Sequence, residues 1–79
     1  MNKSDELSVQ RHFKSQLITH VRRLMKRQNM TQSELARRMG TSRAIVHRLL
    51  NPNDLGITLG TIGKAAAALG QKANVRLAA

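Results

Sequence analysis

The stretch that most narrows the choice of structure is TQSELARRMGTSRAIVHRLLN, residues 31–51. Thr31 followed three residues later by Glu34 has the spacing of a capping box, in which side chains satisfy the orphan N–H groups at a helix start. Leu35, Ala36 and Met39 then recur at the helical period, so the spacing predicts a helix over 32–39. Gly40 stops it, because the left-handed conformation that closes a helix carries no steric cost for glycine. Thr41 or Ser42 caps a second helix that runs to about Leu50, and Asn51, preceding Pro52, is pushed out of the helical region. The product is two short helices with a Gly-Thr-Ser corner. Such a unit is either a DNA-reading pair or an ordinary helical hairpin with basic edges.

The flanking segments continue the helical reading. From Phe13 onward, Phe13, Leu17, Ile18, Val21, Leu24 and Met25 fall on one stripe, with Arg22, Arg23 and Lys26 opposite. Extending the same wheel upstream brings Gln10 and Lys14 into the stripe, so the dependable part of helix 1 is about 13–28. Asn29 suits a left-handed cap. Residues 1–12 are a frayed arm or an extension of this helix, with Ser4 placed to cap Asp5 and Glu6. Residues 51–57 form the longest loop. Thr58 starts helix 4, with Leu59, Ile62, Ala65, Ala66 and Leu69 inward and Gly70 as its stop; Gly60 and Gly63 weaken this helix unless something packs closely there. In the tail, Ala73, Val75 and Leu77 alternate with Lys72, Asn74 and Arg76, the period of a half-buried strand. A lone strand needs a partner, so this tail pairs with a second copy, pairs with another protein, or stays loose.

Charge points to the partner class. Fourteen Lys and Arg against four Asp and Glu leave the chain at +10. A charge of that sign favours a polyanion, since neutralising phosphates releases condensed counterions. It is also unevenly spread: residues 1–48 hold eleven basic and three acidic side chains, a net of +8, and residues 49–79 hold three and one, a net of +2. With no cysteine there is no disulfide or cysteine zinc site, and Phe13 is the only residue among Phe, Tyr and Trp. A 79-residue chain with so light a core has a thin stability margin, which dimerisation would widen. No apolar run is long enough for a membrane span, and MNKSDELS lacks the apolar segment of a signal peptide, so a cytoplasmic location is expected.

At 100° per residue, Ile45, Val46, Leu49 and Leu50 fall on one side of the third helix, and Arg43, Ala44, His47 and Arg48 on the other. With those faces set, residues 31–51 resemble the Cro/repressor class of helix-turn-helix proteins, the XRE family. The skeleton TQ–ELA–G–S–V–L stands as Thr31-Gln32, Glu34-Leu35-Ala36, Gly40, Ser42, Val46 and Leu49, and the resemblance extends over roughly residues 15–70. It implies an all-α fold, a compact bundle of four or five helices whose third helix reads double-stranded DNA in the major groove. Under it, residues 13–70 are the DNA-binding domain. Arg43, Ala44 and Arg48 match the base-reading positions, with His47 on the same face, while Gln32, Ser42 and Asn51 match phosphate-contacting positions. The chemistry agrees, because Arg reads guanine O6 and N7 bidentately and Ala can touch a thymine methyl.

Three departures from the family pattern matter. An Arg late in helix 1 and a Glu near the end of helix 3 commonly pair in the family; Met25 and Leu50 stand there, predicting an apolar contact instead. Residues 49–63 contain no Lys or Arg, so phosphate contacts shift toward Asn51, Asn53, Thr58 and Thr61 or toward Arg22, Arg23, Lys26 and Arg27. Where many phage repressors carry a last helix, residues 71–79 read as a short C-terminal β-strand for dimerisation. That ending is similar to antitoxins paired with RelE-like toxins, which adds a toxin protein to the implied partners, met by the arm 1–12 or the tail. The reading is thus a sequence-specific DNA binder, a small homodimeric transcriptional regulator of the repressor kind. Its rivals are such an antitoxin and a non-specific nucleic-acid binder. No nucleophile–base pair, phosphate loop or paired carboxylates support an enzyme, and no cofactor is implied. His12 and His20 lack companions at ligand spacing, so no metal site is expected.

Overall fold

The computed structural model describes residues 3–70, which form four helices and no strand: α1 Lys3–Arg27, α2 Gln32–Met39, α3 Arg43–Leu49 and α4 Leu59–Ala68. The strand expected over 71–79, and the pairing built on it, lie outside the described residues. The described part is all-α, as the helical periods require.

Local chemistry accounts for each boundary. α1 ends in a Schellman motif: Asn29 takes φ 51°, its N–H donates to the Lys26 carbonyl at 3.2 Å, and the Met30 N–H reaches back to the Met25 carbonyl at 2.9 Å. Met25 and Met30 are both buried, supplying the apolar contact that accompanies this motif. Gly40 closes α2 in the same way at φ 69°, with Thr41 N–H on the Ala36 carbonyl at 2.9 Å. Thr31, Ser42 and Thr58 cap the following helices by accepting the N–H of Glu34, Ile45 and Thr61 on their hydroxyl oxygens. Glu34 completes only half of the capping box, since its carboxylate turns to Arg38 at 3.0 Å and Arg37 at 3.4 Å.

α2 packs against both α3 and α4, and the three most deeply enclosed large side chains, Leu35, Val46 and Leu49, sit in the α2–α3 unit. Ile18, Val21, Leu24 and Met25 of α1, Ala65 of α4 and Leu69 at its C-cap join them in the core. Met25 and Leu50 are both buried in that cluster, so apolar packing stands where an ion pair was the family's alternative.

The structure corrects several expectations. α1 is continuous from Lys3, with Ser4 inside its first turn rather than at its cap, and no break falls near residue 12. Phe13 is 53% exposed. The buried residues of α1 are Lys14, Ile18, Val21, Leu24 and Met25; Phe13 shares the side of Leu24 but lies about three turns before it, toward the start of the helix. Phe13 instead borders an open apolar groove of about 410 Å³ with Leu17, Leu55, Ile57 and Ile62. Leu59, expected inward, is 85% exposed, because as the first residue of α4 it precedes the turn that meets the core.

Candidate nucleic-acid interface

α3 owes its orientation to two residues. Val46 and Leu49 are fully buried, and their burial turns the other side of a seven-residue helix outward. Arg43, Ala44, His47 and Arg48 are all exposed, so the fold brings the four expected base-contacting residues onto one solvent face. Arg43 is the first residue of α3, directly after its Ser42 cap. In helix-turn-helix docking, the N-terminal residues of the recognition helix are the ones that reach base edges.

The residues expected at phosphates are more dispersed. Ser42 is exposed, and its hydroxyl oxygen accepts the Ile45 N–H at 3.3 Å, which leaves its proton available for an acceptor outside the domain. Asn51 is half-buried, and its side-chain oxygen holds the Asn53 N–H at 3.0 Å. That bond leaves the amide N–H groups of Asn51 as the donors that remain. Gln32 is half-buried at the start of α2, apart from α3. Arg22, Arg23, Lys26 and Arg27 are exposed along the last turns of α1.

Sequence reasoning missed two residues that organise this face. Lys14 is buried, and its ammonium donates to the carbonyl of Arg48 at 3.1 Å and to that of Asp54 at 2.6 Å. α1 thereby clamps the end of α3 to the loop after it. Burial pushes the Lys14 pKa down, with the Asp54 carboxylate opposing that shift and Arg48 adding to it. Asp54 is the second. Its Oδ2 accepts from Arg48 Nε at 2.8 Å, and its Oδ1 accepts the Gly56 N–H at 2.9 Å. Both bonds, with the Arg48 bond the stronger influence, hold the Asp54 carboxyl below the usual carboxylate range. The same bond raises the Arg48 pKa.

The signal for Asp54 lay in RLLNPNDLG. A proline just past a helix end reverses the chain, and an Asp two residues before a Gly favours a side-chain-to-backbone turn. For Lys14 the trace was its place on the apolar stripe of α1, but not its partners, which are backbone carbonyls 34 and 40 residues away.

No helix among the described residues is long and apolar enough to cross a membrane. A family model described as a Cro/C1-type HTH DNA-binding domain matches residues 20–72, more than half of the chain. No curated protein and no solved structure matches it.

Proposed function

The chain belongs to the Cro/C1-type helix-turn-helix DNA-binding family, and on that premise we propose that it recognises one particular duplex sequence and regulates transcription there. α3 enters the major groove. Arg43, Ala44, His47 and Arg48 meet base edges, while Gln32, Ser42 and Asn51 meet the phosphates beside them. A DNA-binding domain that occupies its site blocks others from it, which makes repression the natural outcome.

The observation that carries this reading is the division of α3. Val46 and Leu49 are wholly enclosed, and the opposite face is open and carries two arginines. A homodimer is part of the proposal, because one short helix touches few base pairs and a two-fold copy doubles the site read. The cytoplasm, where DNA is accessible, is the matching location.

Selection of bound sequences from a random duplex pool tests the proposal. The expected product is a palindrome with half-sites ~34–36 Å apart. Arg43→Ala is expected to weaken binding to that site by ~1–3 kcal/mol and to relax preference at one base pair, with a far smaller effect on random duplex. Equal weakening on all sequences would mean that the helix binds without reading bases.

A further inference from the structure

We propose that Asp54 is a positioning residue for base recognition, holding the Arg48 guanidinium so that this arginine reads a guanine at one fixed position of each half-site. The inference rests on the groove-reading role of α3 and adds a residue outside that helix.

The geometry of the pair separates the holding edge from the reading edge. A guanidinium has five N–H donors, and its two Nη groups alone can make a bidentate contact with guanine O6 and N7. The carboxylate takes Nε. Among the described residues no side chain or carbonyl bonds the Nη groups of Arg48, and its side chain is 49% exposed. Nη2 lies near Gly56, 3.5 Å from where a Cβ would stand, an ordinary packing distance.

Besides its bond to Arg48, the support is fixed at three further points. Asp54 Oδ2 holds Arg48 and Oδ1 holds the Gly56 N–H; the Asp54 carbonyl receives the Lys14 ammonium, and its N–H donates to the Asn51 carbonyl at 3.1 Å. Lys14 also bonds the Arg48 carbonyl, so carboxylate and guanidinium are referenced to the same buried ammonium. A long, mobile side chain loses rotamer freedom when it docks. Here much of that loss is incurred in folding, before DNA arrives.

The opposite sign is the natural competitor. An acid beside the reading face also repels phosphate, and a paired arginine is withheld from other acceptors. The two accounts predict opposite outcomes for Asp54→Ala.

The experiment measures binding of the full chain to its selected site, to that site with single base-pair changes, and to random duplex. The proteins are the unaltered chain, Arg48→Ala, Asp54→Ala, Asp54→Asn and the double variant Arg48→Ala/Asp54→Ala, with folding checked by thermal melts. Arg48→Ala is expected to abolish preference at one G·C pair. Asp54→Ala is expected to weaken binding to the selected site by about two- to tenfold, the ordering entropy of one long side chain. That loss is confined to the same G·C pair and leaves random-duplex affinity equal or higher. Asp54→Asn, which keeps an oxygen for Nε, falls between. In the Arg48→Ala background, Asp54→Ala changes no base preference.

Tighter binding of Asp54→Ala to every duplex with preference intact overturns the proposal and leaves Asp54 as a repulsive charge. Loss of preference at many positions, or an undiminished loss in the Arg48→Ala background, overturns it in favour of a general loop role. Full preference retained by Arg48→Ala overturns it at the arginine. If the unaltered chain selects no sequence at all, it is the groove-reading premise that fails, and the Asp54 proposal falls with it.

Discussion

Lys14 occupies a position on the inward line of α1 that an aliphatic residue would ordinarily fill, and it is buried with its ammonium on two carbonyls. A buried ammonium persists only when its donors are satisfied. The two carbonyls differ: that of Arg48 also accepts the Asn51 N–H at 3.2 Å, whereas the donor shown on that of Asp54 is the lysine. Lys14→Met keeps the apolar stem and removes the donor, leaving the partly buried Asp54 carbonyl short of a bond while that of Arg48 keeps the Asn51 N–H. The expected cost is ~1–3 kcal/mol, the usual penalty for stranding such a group. Urea unfolding checks it: the midpoint falls while the dependence on denaturant keeps its slope. An unchanged midpoint would mean that water replaces the lysine without loss. At this scale the sequence was least legible. The outward residues of α3 follow from its own period, and the wheel of α1 places Lys14 on the inward stripe, but the partners of Lys14 and the exposure of Phe13 depend on distant chain.

The elements themselves were largely readable, since helix ends are decided by neighbours in sequence. Thr31, Gly40, Ser42 and Thr58 each act within a few residues of their partners, and each stands at the boundary its chemistry predicts. The start of α1 was not legible, because residues 3–12 have no apolar period to announce a helix. They are helical as a continuation of the segment that follows them, with Asp5 and Glu6 favourably placed in the first turn. Inside α4, Gly63 has the helical backbone of its neighbours, and among the described residues nothing lies within 4 Å of a Cβ placed there. No close packing therefore requires glycine at that site. Gly63→Ala is expected to stabilise the fold by ~0.5–1 kcal/mol, through reduced freedom of the unfolded chain and better helix propensity. Thermal unfolding reads this as a rise of several degrees for a domain of this size. Gly40→Ala is its internal contrast, equally free of neighbours but at φ 69°, where a side chain is strained and stability falls.

Charge acts over the whole molecule, and its distribution separates reading from holding. Residues 49–63 offer no cation, Arg37 and Arg38 are engaged with Glu34, and Arg48 is engaged with Asp54. Among the described residues, four further exposed cations stand close together in sequence near the end of α1, at Arg22, Arg23, Lys26 and Arg27. Neutralising a phosphate contributes to affinity for every sequence and makes binding fall with salt by about 0.9 in logarithmic slope. Replacing these four residues together by Gln keeps α1 helical and removes that component. The expected result is a slope shallower by about one for each phosphate no longer neutralised, equal on the selected site and on random duplex. Preference among sequences should survive, because Arg43 and Arg48 remain. Arg43→Ala should do the reverse, eroding preference with less change in slope. Filter-binding or anisotropy titrations between low and physiological salt resolve the two. If the fourfold variant keeps the original slope, the phosphates are met elsewhere, through Gln32, Ser42, Asn51 and backbone N–H groups. In that case the basic face of α1 contributes long-range attraction to DNA without touching it in the complex.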